Sequence, residues 1–257
     1  MPRSFDALYL HVLEVMEHSF LLLEARVPKP VRVCKDGGFV FRYQERTAEQ
    51  AIVQRLVRII TGLKAALLLH QNGLIQEVGM VQRALDEFTT DIQFLNLCVT
   101  SGEPSEHFQR FLSAFFDDTF ESSSGGTIAG ARRPDQIRRK QINAYVARME
   151  AKAMGKPLSN QEAEAANHLG AAYSGFVHGA SHIVFDIYGG WPPHYHIEGA
   201  QRTPMAVSVR NDLWNYFFRG LVSYGFAAHC LGDNALFEHL CSEVRIFEDT
   251  HPTGFPK

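Results

Sequence analysis

Apolar side chains recur every three or four residues through most of this 257-residue chain and alternate residue by residue in one short stretch only. A period near 3.6 buries one face of a helix, whereas a half-buried strand needs a period of two. The chain is therefore expected to be all-α: one bundle of about eight helices with a short β-hairpin near residues 31–42. The hairpin is read in VRVC-KDGG-FVFR, where alternation flanks a Gly-Gly turn. A first helix covers 4–27, capped by Ser4, with Phe5, Leu8, Val12, Val15, Ser19 and Leu23 on one stripe. Thr47 and Gln50 have capping-box spacing and open a second, which stops at Asn72-Gly73. The third spans 74–100, with Ile75, Val78, Val81, Leu85, Phe88, Ile92 and Leu95 turned inward. Pro104 opens the fourth, and Pro134 starts a fifth that ends near Gly155. Ser159 and Glu162 open a sixth helix that reaches Gly189-Gly190. A seventh runs from Thr203-Pro204 to Gly232, and Asp233 caps the eighth. The run SSSGGTIAGA at 122–131 reads as a flexible loop dividing 1–121 from 132–257 within one helical domain.

Composition narrows the function classes. An apolar fraction of 46% with 19 Phe excludes a disordered chain, and a net charge of −3 argues against a general nucleic-acid scaffold. No window reaches the roughly 18 apolar residues of a membrane span. The apolar N-terminal stretch is broken by Asp6, His11, Glu14, Glu17 and His18 at helical intervals, so it reads as a retained amphipathic helix rather than a signal peptide. Cys34, Cys98, Cys230 and Cys241 lack the paired short spacing of thiolate metal or redox sites. Reduced thiols in a cytoplasmic protein are the expectation.

Five of the 12 histidines fall between His168 and His196. On a continuous sixth helix, Leu169, Tyr173, Phe176, Ala180 and Val184 gather on one side, and His178 and His182 point away from it. The face they occupy carries Ser174, Gly175 and Ser181 rather than Lys, Glu and Gln, which implies a helix covered on both sides. Histidines four apart can share a metal, and His194 and His196 in the following loop would complete a Zn or Fe shell. The alternatives are structural histidines bonded to neighbouring helices, with no cofactor, and a metal-free catalytic or binding role.

Other constellations are local. His11, Glu14 and His18 share a boundary face of the first helix, suited to a polar helix–helix seam or to a metal. Arg83 and Glu87 have the spacing of an intrahelical ion pair. Arg132, Arg133, Arg138, Arg139 and Lys140 form a basic run that reads either as a solvated helix start or as a phosphate-holding patch. A Walker loop, a GxSxG elbow and a dinucleotide fingerprint are all missing.

VQRALDEF at 81–88 and YSGFVHGAS at 173–181 resemble an uncharacterised family of helical prokaryotic proteins, marked by Arg-x3-Glu in an early helix and Ser-x3-His-x2-Ser in a late one. Here these are Arg83 and Glu87, then Ser174, His178 and Ser181. The resemblance spans about residues 45–248 and extends distantly to the HEPN superfamily of helical bundles, many of them metal-independent ribonucleases or partners of nucleotidyltransferases. The HEPN mark, Arg followed four to six residues later by His, is absent before His178. The resemblance implies an interaction or defence-type (toxin–antitoxin) module, binding a protein partner or a second copy of itself. The alternative is an enzyme acting on RNA, a nucleotide or a small hydrolysable substrate. In that enzyme His178 would be the acid–base, Ser174 its orienting partner, and Arg83, paired with Glu87, the group that stabilises negative charge.

Overall fold

The Thr47 side-chain oxygen accepts the Gln50 N–H at 3.3 Å and Gln50 Oε1 accepts the Thr47 N–H at 3.1 Å, so the expected capping box opens its helix. The computed structural model in which this is seen describes residues 5–35, 37–117, 136–157, 164 and 173–250. In chain order these contain α1 (Phe5–Glu24), β1 (Val31–Lys35), β2 (Gly38–Arg42), α2 (Ala48–Gln71), α3 (Ile75–Thr100), α4 (Phe108–Phe116) and α5 (Arg139–Ala153). Then come α6 (Ser181–Val184), β3 (Tyr188–Gly189), β4 (His194–Tyr195), α7 (Pro204–Cys230) and α8 (Asn234–Glu248). The architecture is an all-α bundle carrying a small hairpin. The 122–131 loop, the Ser4 cap and the Ser159/Glu162 box lie outside the described residues.

Helices α2, α3 and α7 pack on one another and form the centre. Helix α1 lies against α2 and α7, α5 against α3, and α8 against α7. One continuous core draws on all of them, with Trp214, Tyr9, Tyr224, Phe94, Phe217 and Met16 among its fully buried side chains. Burial of this apolar surface, at about 25 cal/mol per Å², is what fixes the helices against each other. The hairpin pairs Val31 with Arg42 through Lys35 with Gly38 and leaves Phe39 and Phe41 exposed. Among the described residues no helix is long and apolar enough to cross a membrane, and the four cysteines are free thiols.

The continuous sixth helix expected to reach Gly189-Gly190 is corrected by the structure. Residues 173–178 are helical, but Gly179 takes φ +61° and the Ala180 N–H reaches back to the Gly175 carbonyl at 2.9 Å. That six-to-one bond around a left-handed glycine is a Schellman stop, and a residue with a Cβ would resist the conformation. The chain restarts as the single turn α6 and then folds into a second, two-residue ladder, β3 with β4, where the sequence suggested an irregular loop. This segment is pinned to α3 at Gly79, where a Cβ would stand 2.4 Å from the Phe176 ring, and by a hydrogen bond from Gln76 Nε2 to the Ile183 carbonyl.

Candidate anion-binding cleft

Three helices contribute charges to one place. Helix α3 carries Arg83, Glu87 and Asp91 at successive four-residue intervals, which align on one face. Arg55 comes from the first half of α2, and Arg139 is the first residue of α5. The Arg83–Glu87 pair read from the sequence is present, Nη2 to Oε1 at 2.7 Å. It is one edge of a larger network: Arg139 Nη2 lies 3.6 Å from the second Glu87 oxygen and its Nη1 lies 2.5 Å from Asp91 Oδ1, while Arg55 Nη2 lies 2.7 Å from Asp91 Oδ2.

Asp91 is wholly buried, with two guanidiniums sharing its carboxylate. Arg55 is also held between rings, its Cζ 5.0 Å from the Phe88 centroid and 4.8 Å from that of Phe115. Its Nε–H is buried without a hydrogen-bond acceptor among the described residues. Burial lowers the Arg55 pKa from its usual value, against the pull of Asp91 and with a further push from Arg139. Among the described residues the network thus joins three guanidiniums, Arg55, Arg83 and Arg139, to two carboxylates, Glu87 and Asp91. Arg58 also lies over the Phe88 ring, its Cζ 5.5 Å from the centroid.

Arg55, Glu87, Asp91 and Arg139 line a cavity of about 350 Å³, and α4 and α5 complete it with Phe111, Phe115, Ile137 and Ile142. Carboxylates already bridged by arginines are poor cation ligands, whereas the guanidinium edges left over are forks suited to an anion. A second network joins α3 to α7, where Asp86 accepts from Arg219 and from Tyr216 Oη at 3.3 Å, and Arg219 also donates to Thr89 Oγ1 at 2.9 Å. There one guanidinium meets one carboxylate, so the charges balance.

Of the residues expected to act together, Glu87 lines the cavity and Arg83 pairs with it, whereas Ser174 and His178 are not among its lining residues. Ser174 is half-buried and His178 exposed, next to the helix stop. Because that stop falls between them, His178 and His182 do not share one helix face. His182 and His194 are exposed, and His194 packs its ring 4.7 Å from that of His196. Among the described residues no group of three or more His, Cys, Asp or Glu is arranged to hold a metal. On α1, His11 meets Glu243 of α8 at 3.5 Å, whereas Glu14 and His18, expected on the same seam, are exposed.

Arg55, Asp91 and the inward turn of Arg139 were not singled out from the sequence. Compared with known proteins, the chain matches no family model, no curated protein and no solved structure.

Proposed function

We propose that this protein is a recognition module whose cleft between α2, α3, α4 and α5 binds an anionic group, phosphate or carboxylate. The observation that carries the reading is the convergence of two guanidiniums, Arg55 and Arg139, on one partly enclosed cavity, each with N–H groups beyond those its carboxylate partners take up. Guanidinium N–H groups removed from water are costly to leave unpaired, and a bound anion would accept those that Asp91 and Glu87 do not. Arg55 and Arg139 are the binding residues; Asp91 and Glu87 position them. The distant resemblance to HEPN bundles accords with a phosphate-bearing ligand, and the free thiols accord with a reducing, cytoplasmic setting. A second reading, a protein-interaction surface, is favoured by the turn between β3 and β4, where Trp191 is 94% exposed and Ile197 just beyond is 83% exposed.

The test is a thermal-shift titration with inorganic phosphate and pyrophosphate, matched for ionic strength with potassium chloride. A ligand at about 100 times its Kd adds about 2.7 kcal/mol, which should raise Tm by roughly 5–10 °C in a chain of this size. The shift should disappear in Arg139→Gln. An equal shift in that variant, or none beyond the chloride control, would remove the proposal.

A further inference from the structure

The anion-binding reading leaves half of the cavity wall unexplained. Phe111, Phe115, Ile137 and Ile142 face the same space as the guanidiniums, and an inorganic anion alone would leave these apolar groups against water. The rings of Phe111 and Phe115 are nearly parallel, 9° between planes with centroids 6.2 Å apart, and the planar Arg55 guanidinium already lies over Phe115. Parallel ring planes beside a guanidinium fit a flat partner that stacks more than they fit a flexible aliphatic one.

Resting on the anion reading above, we propose that the cavity takes a small molecule in which an anionic group is joined to a flat ring system. Both nucleoside monophosphates and aromatic carboxylates have this chemistry. The anion occupies the forks of Arg139 and Arg55, and the ring packs along Phe111 and Phe115. The volume, about 350 Å³, lies at the small end of the range that holds such molecules and excludes larger polymers from full enclosure. Gln136, also on the wall, offers an amide that donates and accepts at the rim.

Isothermal titration calorimetry on the full chain, at constant ionic strength, compares AMP, phenyl phosphate and benzoate with ribose 5-phosphate, hexyl phosphate and hexanoate. The ring-bearing anions should bind about tenfold tighter than their ringless counterparts, the size of a stacking contact. Phe115→Leu should bring ring-bearing and ringless anions level with each other, whatever it does to both through Arg55, and Phe115→Tyr, which keeps the ring, should keep the advantage. AMP and phenyl phosphate ahead of benzoate would identify a phosphate ligand; the reverse order would identify a carboxylate. Equal binding of ringed and ringless anions to the unmodified protein, or hexyl phosphate matching phenyl phosphate, would overturn the inference while the anion reading stands. No binding by any of the six would remove both.

Discussion

Replacing Asp91 with Ala should cost about 3 kcal/mol of folding stability, the lower end of the range for stranding a buried charge. The lower end applies because water reaches 22% of the Arg55 side chain and 30% of that of Arg139, the two cations that lose their shared partner. For a chain of this length the expected fall in Tm is roughly 6–12 °C. The loss is a stranding effect rather than the net worth of the ion pairs, so Arg55→Met and Arg139→Met added to Asp91→Leu should recover much of it while abolishing anion binding. Arg83→Ala is the comparison. Its pair with Glu87 is intrahelical and partly exposed, and removal should cost at most about 0.5 kcal/mol. Urea unfolding of the four proteins checks the ordering; an Asp91→Ala loss no larger than that of Arg83→Ala would mean that the carboxylate is not what holds the guanidiniums in place.

Trp214→Ala should be at least as damaging, at about 3–5 kcal/mol. The indole is completely buried near the middle of α7, stacked 5.2 Å from Phe218 on the same helix and 5.1 Å from Phe247 on α8. Its N–H donates to Thr250 Oγ1 at 3.1 Å, so truncation opens a cavity and also removes a hydrogen bond at the end of α8. Trp214→Phe, which keeps a stacked ring, should recover more than half of the loss. None of these groups lines the cleft, so the pyrophosphate-induced rise in Tm should survive in Trp214→Ala. Calorimetric melting with and without pyrophosphate checks both statements, and loss of the ligand effect would show that the cleft depends on the α7–α8 packing.

Most of the architecture was legible because helix periodicity and caps are local. The capping box at Thr47, the Asp233 cap, Pro204 after the Thr203 cap, and the stop at Asn72-Gly73 each put an end within a residue or two. The late histidine segment was misread for an equally local reason. His178-Gly179-Ala180 holds a glycine at a helix end, but apolar spacing continues past it, and periodicity alone does not detect a left-handed stop. The site was legible only in part. Arg83 and Glu87 are neighbours in sequence and needed no tertiary information. Asp91 lies among Phe88, Ile92 and Leu95 on α3, and Arg55 lies between Ile52 and Ile59 on α2, each a charge at a core register. That pattern signals a buried ion pair, but the partner's identity depends on which helices touch. Arg139 belongs to a run read as solvated or phosphate-binding, and its inward turn comes from the packing of α5 on α3.

The central claim is where an anion binds, and anomalous diffraction from crystals of the unmodified protein soaked in tungstate tests it most directly. The account predicts a tungsten peak in the α2–α5 cavity with oxygens about 3 Å from the guanidinium nitrogens of Arg139 and Arg55. Tungstate bound elsewhere on the protein, with that cavity empty, would contradict it.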